Sequence, residues 1–179
     1  QKKYDYAEKY YAKALQLDPK EVQALNNFAF LKVETGDFTE AERLYKLAIE
    51  KDPDYVYSYS NLASLYKKIG KMFSAVAFYK KALDRLPGPE MYYRLSLVYY
   101  DMKRYDDMLE TLNLALKEDM TYPEAYYSLA FVHFRNLMDY EPEKREAEFK
   151  KAFNELVRLN KPMAEEFSEK YLKTLKKSS

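Results

Sequence analysis

The chain has 179 residues, with 30 basic and 29 acidic side chains, no Cys, 3 Gly and 20 Tyr. A formal net charge of +1 gives no general pull toward nucleic acid or an anionic membrane, and the lack of Cys excludes disulfides, thiolate metal sites and thiol nucleophiles. The apolar runs fall well short of the roughly 18–20 residues that cross a bilayer, so no membrane insertion is expected.

Tyr, Lys, Glu, Leu and Ala dominate and β-branched runs are scarce, which points to an all-helical chain. The first predicted helix covers residues 4–17 and carries Ala7, Tyr11 and Ala14 before Asp18-Pro19. Its partner helix is missing on the N-terminal side, so its apolar flank needs cover from upstream residues or another chain. The expectation is a piece of a longer array. Residues 20–53 repeat the pattern as Ala41, Tyr45, Ala48 and Pro53, each 34 positions on. Residues 54–87 repeat it again as Ala75, Tyr79, Ala82 and Pro87. Other pairs keep the same offset: Gly36 with Gly70, Leu25 with Tyr59, Phe28 with Leu62, Ala29 with Ala63. A fixed offset over several residue types marks a repeat architecture.

Residues 88–120 continue the register through Tyr92, Leu95, Ser96, Tyr99, Met108, Leu112 and Ala115. The step from Ala82 to Ala115 is 33, so one residue is lost near Pro87-Gly88-Pro89. Lys103-Arg104 stands where earlier units have Gly, so this turn must avoid a left-handed residue or strain one. Residues 121–161 start in register with Tyr126, Leu129, Ala130 and His133, then depart from it. A longer connection runs from Asn136 to Glu141, Pro142 suits a first helical turn, and the helix extends to about Asn160. Phe149 and Ala152 replace the Tyr79 and Ala82 pair. In residues 162–179, Pro162 opens a final helix over 162–177. Met163, Phe167, Tyr171, Leu172 and Leu175 lie on one side, with Lys170, Lys173, Lys176 and Lys177 facing water. A polar-backed last helix is what a stacked array needs as a cap. The Asp before each Pro, as in Asp52-Pro53, is expected to N-cap the next helix.

The period and these residues resemble the tetratricopeptide repeat family, from Tyr4 to about Leu159. The resemblance implies an all-α, right-handed α-α superhelix, a solenoid of antiparallel helix pairs. Small residues sit where helices approach, and large ones such as Tyr45, Phe28 and Leu25 fill the gaps. No unit can bury its apolar face alone, so stability comes from stacking.

A reacting site needs a nucleophile, an acid–base pair or a cofactor. His133 is the single His and shares the register of Tyr66 and Tyr99, which makes it a packed residue. Asp106-Asp107 and Glu165-Glu166 read as solvated helix faces, and the Met residues as core filler. Three Gly cannot build a phosphate loop, and no metal-ligand spacing is present. No catalysis, no cofactor and no metal are expected.

The resemblance further implies that the first helix of each unit lines a concave side where extended peptides bind. By register the row comprises Gln23, Asn26, Asn27 and Phe30, then Tyr57, Ser60, Asn61, Ser64 and Lys68. It continues with Glu90, Tyr93, Arg94, Leu97 and Asp101, then Glu124, Tyr127, Ser128, Phe131 and Arg135. The peptide-binding candidates are Asn27, Phe30, Tyr57, Asn61, Lys68, Tyr93, Arg94, Tyr127 and Phe131. Asn27 and Asn61 are one repeat apart, and an amide pairs with any peptide backbone; they are equally suited to bonding between helices. Arg94 could take a carboxylate. Some family members clamp a chaperone's C-terminal carboxylate with five polar side chains. This chain keeps Asn61 and Arg94 of that set but carries Asn26, Phe30 and Glu90 elsewhere, so no such clamp is expected. The row instead turns aromatic at Tyr93, Tyr100, Tyr127, Phe131 and Phe134, which suits a peptide with apolar or aromatic anchors.

The leading expectation is therefore an interaction scaffold for a protein or peptide partner. The alternatives are self-association through the flank of residues 4–17, or a secretion or assembly chaperone without a groove ligand. RNA binding, as in arrays of similar period, is disfavoured by the balanced charge. The start Gln1-Lys2-Lys3-Tyr4 has no apolar leader core. The compartment stays open, with a soluble, cytoplasmic chain as the default.

Overall fold

The computed structural model describes residues 6, 9–11, 13, 17 and 21–173, and all regular structure there is helical. The elements are α1 (Val22–Glu34), α2 (Phe38–Lys51), α3 (Val56–Lys68), α4 (Met72–Leu83), α5 (Pro89–Asp101), α6 (Tyr105–Glu118), α7 (Pro123–Phe134), α8 (Pro142–Leu159) and α9 (Lys161–Phe167). A π-helical turn, Ser168–Leu172, follows α9. Of the helix expected over 4–17, the described residues are helical, and the rest lie outside the described residues.

One backbone device closes every helix pair. At the end of α1 the Asp37 N–H donates to the Lys32 carbonyl and the Gly36 N–H to the Val33 carbonyl. These are the two bonds of a Schellman motif, which needs a left-handed residue between them. Gly36 supplies it at φ 84° and Gly70 at φ 78° in the next pair. Lys103 takes the same place at φ 58° and Asn136 at φ 51°, with the same two bonds around each. The chain thus keeps the left-handed turn where Gly is absent and strains Lys103 to do so; Asn tolerates that region better.

Between the helices the repeated Ala residues do their packing work. Ala29, Ala41, Ala48, Ala63, Ala75, Ala82, Ala115 and Ala130 are fully buried, so the backbones approach closely. Tyr45 and Tyr79 fill the space beside them, and burial pushes the Tyr45 phenol pKa well up.

The packing divides the chain into two compact units, Gln1–Pro87 and Gly88–Ser179. In the first, α1 pairs with α2 and α3 with α4, while α3 also packs on α1 and α2. In the second, α5 pairs with α6 and α7 with α8, and α6 packs on α7. The second unit also holds α9, seated on α8 and α7. Its core there is Ala130, Ala152, Leu156, Ala164 and Phe167, ringed by partly buried Phe134, Phe149, Phe153 and Tyr171.

Two local expectations are corrected. Asp52 ends α2 rather than capping α3: its Oδ1 accepts from the Asp54 N–H at 3.0 Å, and α3 starts only after Tyr55. The chain makes a further turn there, closed by the Tyr55 N–H on the Asp52 carbonyl, so the Asp stabilises a turn. Asp119 repeats this with Thr121. Side-chain caps instead come from Glu21, Asp37 and Asn160; Asp18-Pro19 lies outside the described residues. The final helix is not uniformly α-helical: a π-helical turn over Ser168–Leu172 interrupts it after Phe167, and that wider turn brings Tyr171 and Leu172 onto the core cluster before Lys173 is again helical. Residues 174–177 and Leu175 lie outside the described residues.

Candidate protein-binding surfaces

Of the candidates in the first unit, α1 carries Asn27 and Phe30 and α3 carries Tyr57, Asn61 and Lys68. Asn27 is exposed, as are Phe30 at 59% and Tyr57 at 55%, large fractions for apolar and aromatic side chains. The Tyr57 ring is steadied by Tyr55 at 5.5 Å. Asn61 is half-buried and donates to Asn26 Oδ1 at 3.3 Å. Asn26 in turn donates to Ser58 Oγ at 2.8 Å and to the Val22 carbonyl at 3.0 Å. Lys68 lies 3.8 Å from Glu34 and 5.8 Å above the Phe38 ring.

Three of the polar residues in the expected row are tied into packing instead. Asn26 is buried in the network just given. Buried Ser60 donates to the Tyr57 carbonyl. Ser64 shares a 2.7 Å bond with the Tyr79 hydroxyl. Register alone did not separate them from their exposed neighbours, because that depends on the facing helix.

In the second unit, Tyr93, Leu97 and Tyr100 on α5 and Tyr127, Ser128 and Phe131 on α7, with Met108 and Tyr171, line an open cavity of about 250 Å3. Its walls are ring on ring: Tyr100 and Phe131 have centroids 5.8 Å apart, Phe131 and Tyr171 5.3 Å. Tyr127 stands edge-on to Phe167 at 5.1 Å and hydrogen-bonds Tyr171. Tyr93 contacts Tyr122 at 5.8 Å. Burial raises the Tyr93 phenol pKa, with Ser128 opposing. Burial, then Glu124 and Glu90, push Tyr122 up to about 12. Burial and the bond to Tyr171 raise Tyr127 well above its usual value. These phenols stay neutral at physiological pH, so the walls offer apolar faces with uncharged hydroxyls.

Arg94 on the same face is met by Glu90, whose Oε1 accepts from Nε at 2.9 Å and Nη2 at 2.6 Å. A ligand carboxylate would compete with that pair. Tyr171 is the lining residue that sequence reading placed only in the cap. Its spacing of four from Phe167 was the available signal for a shared face. His133 is buried, its ring stacked on Tyr140 at 5.6 Å, and burial lowers its pKa. Among the described residues no group of three or more His, Asp or Glu could hold a metal.

Family models described as tetratricopeptide repeat match residues 1–69, 56–87 and 89–119, together about two thirds of the chain. The chain belongs to the tetratricopeptide repeat family. It is similar to a crystal structure of MamA, at 24% identity and a TM-score of 0.72, over 87% of this chain and 90% of that one. It is also similar to a thermophilic tetratricopeptide repeat protein of Thermus thermophilus, at 21% identity and a TM-score of 0.68, covering 96% and 90%. A third likeness is YrrB, a tetratricopeptide repeat protein described as having an unusual peptide-binding site. It stands at 15% identity and a TM-score of 0.60, covering 89% and 97%. These likenesses establish the fold, an α-solenoid of helix pairs. No curated protein sequence matches the chain significantly. No helix among the described residues is long and apolar enough to cross a membrane. As a member of this family the chain is a protein–protein interaction scaffold, built of tetratricopeptide helix pairs.

Proposed function

We propose that the exposed side chains of the first helices within each unit hold a peptide or protein segment, and that in the second unit the pocket between α5 and α7 seats an apolar or aromatic side chain of a bound segment. The observation that carries this is the cavity's size and lining: about 250 Å3, walled by Tyr and Phe rings. That is below the roughly 300–1,000 Å3 of small-molecule sites and suits a single large side chain. Tyr rings give contact area at little entropic cost. In the first unit, taken by itself, Asn27, Phe30, Tyr57, Asn61 and Lys68 offer amide, aromatic and cationic contacts to a bound segment. YrrB, similar in fold, has a peptide-binding site, which is consistent with this reading. No reaction is proposed, since none of these groups forms a nucleophile–base pair.

The test fills the cavity rather than emptying it. Partners are captured on the full-length protein and identified by crosslinking and mass spectrometry, then titrated against Leu97→Trp. Leu97 lines the cavity from α5, so the indole should occupy it and weaken binding about tenfold or more, with helicity kept. Unchanged affinity for every captured partner would reject the cavity as an anchor site.

A second reading, self-association, is favoured by Tyr6, Tyr10 and Leu17, all more than 70% exposed. Sedimentation over a wide concentration range tests it. A mass that stays monomeric throughout rejects it.

A further inference from the structure

Helix α7 has two lined faces. At 3.6 residues per turn, Tyr127, Ser128 and Phe131 share the side of the aromatic cavity, while Tyr126, Leu129 and His133 fall on the opposite side. On that opposite side α6 and α8 flank α7 and leave a trough of about 560 Å3. Its lining mixes apolar and polar side chains, with Leu109 and Leu116 from α6 and Leu129 from α7 supplying an apolar strip. At the end of α6, Met120 is 73% exposed, a thioether left in water beside that strip. The charges at the trough are Lys117, Lys144 and Lys151 against the single carboxylate of Glu148. Lys144 rides 4.1 Å above the Tyr140 ring, and no ion pair of Lys117 or Lys151 is seen among the described residues. His133 lines the trough at 5% exposure, and its Nδ1 has no hydrogen-bond partner among the described residues.

We propose that this trough is a second docking surface, taken by an acidic amphipathic helix of a partner protein whose apolar stripe lies on Leu109, Leu116 and Leu129 and whose carboxylates meet Lys117 and Lys151. Charge complementarity selects the occupant. The whole chain is nearly neutral, yet the trough gathers three cations around one anion, so a basic segment is repelled and a neutral one leaves the lysines idle. The shape selects a helix, since a trough between two helices takes the apolar stripe of a third. This surface is independent of the aromatic cavity and shares none of its lining.

The test uses two fluorescent helical peptides of about 15 residues with the same Leu stripe, one with Glu and one with Lys on the polar face. Anisotropy titrations use the full chain, its Lys117→Glu/Lys151→Glu variant and Leu97→Trp. The Glu peptide is expected to bind the parent, to lose about tenfold or more affinity in the double variant, and to bind Leu97→Trp unchanged. The Lys peptide should bind the parent at least about tenfold more weakly than the Glu peptide does. Equal binding of both peptides, an unaffected double variant, or no binding of the Glu peptide overturns the proposal. So does a chain that dimerises on its own through this face and becomes monomeric in the double variant, which assigns the trough to a second copy.

Discussion

Asn26 and Asn27 carry the same side chain one position apart, and the helix turn between them sends one amide inward and the other to water. Asn26 bonds Val22, Ser58 and Asn61 from a buried site, so Asn26→Ala strands two polar partners on α3. A loss of about 1–3 kcal/mol is expected, read as a lower denaturation midpoint at unchanged slope. Asn27→Ala, on an exposed site, should stay within about 0.5 kcal/mol. The repeat period pairs Asn27 with Asn61, but the bond from Asn61 runs to Asn26, because the stagger between neighbouring first helices sets which amides meet. That stagger is a tertiary quantity and was not legible in the register. His133 gives a second prediction at this scale. Burial lowers its folded pKa, with Lys144 acting the same way and Glu148 opposing. The unfolded chain therefore binds the extra proton first, and stability falls as pH drops below about 6.5. Carboxylates such as Glu40 and Glu42, lowered by Arg43 and Lys46, add their losses only nearer their own lower range. Between pH 5 and 6.5 the slope should thus be shallower in His133→Phe than in the parent, by at most about 1.4 kcal/mol per pH unit. Equal slopes would show that His133 does not titrate differently on folding.

The helix pair is the level at which most of the fold was legible. Each pair faces the same demands at the same place, so it repeats the same answers: Ala at close approach, Tyr beside it, a left-handed turn between. Lys103 shows how firmly the turn is required. It occupies at φ 58° the place of Gly36 and Gly70, with the same two backbone bonds. The left-handed region costs a non-Gly residue about 1–2 kcal/mol, while Gly gives back part of that in unfolded-chain entropy. Lys103→Gly should therefore stabilise by about 0.5–1 kcal/mol, seen as a higher midpoint of thermal or urea unfolding. The last helix shows the converse. Its apolar side was legible from spacing, but the π-helical turn and the seat of Tyr171 on Phe131 were not, since no residue type signals that widening. Phe167 is fully buried among Tyr127, Phe134, Phe149, Phe153 and Tyr171. Phe167→Ala should cost about 3–5 kcal/mol and remove amide protection from α9 and the turn after it.

Over the whole chain, stability is divided between units that each bury their own interior. In a repeat array the total is a sum of unit terms and nearest-neighbour terms, so damage is felt most where it is made. A globular protein with one shared core would pass the same damage to every element. Leu62 on α3 and Leu156 on α8 are both fully buried, which makes them matched probes of the two units. Either change to Ala should cost about 2–5 kcal/mol locally. Native-state hydrogen exchange resolves where that loss appears, because each amide reports the cheapest opening that frees it. Leu62→Ala should speed exchange most across α1–α4, and Leu156→Ala most across α7–α9. The repeats supply the reason: Leu62 and Leu156 belong to different compact units, and in a stacked array each unit contributes its own stability. If both variants accelerated exchange uniformly from α1 to α9, the chain would be one cooperative body, and the additive account would fail. A graded loss, by contrast, would let one unit open around a partner while the other keeps its surface intact.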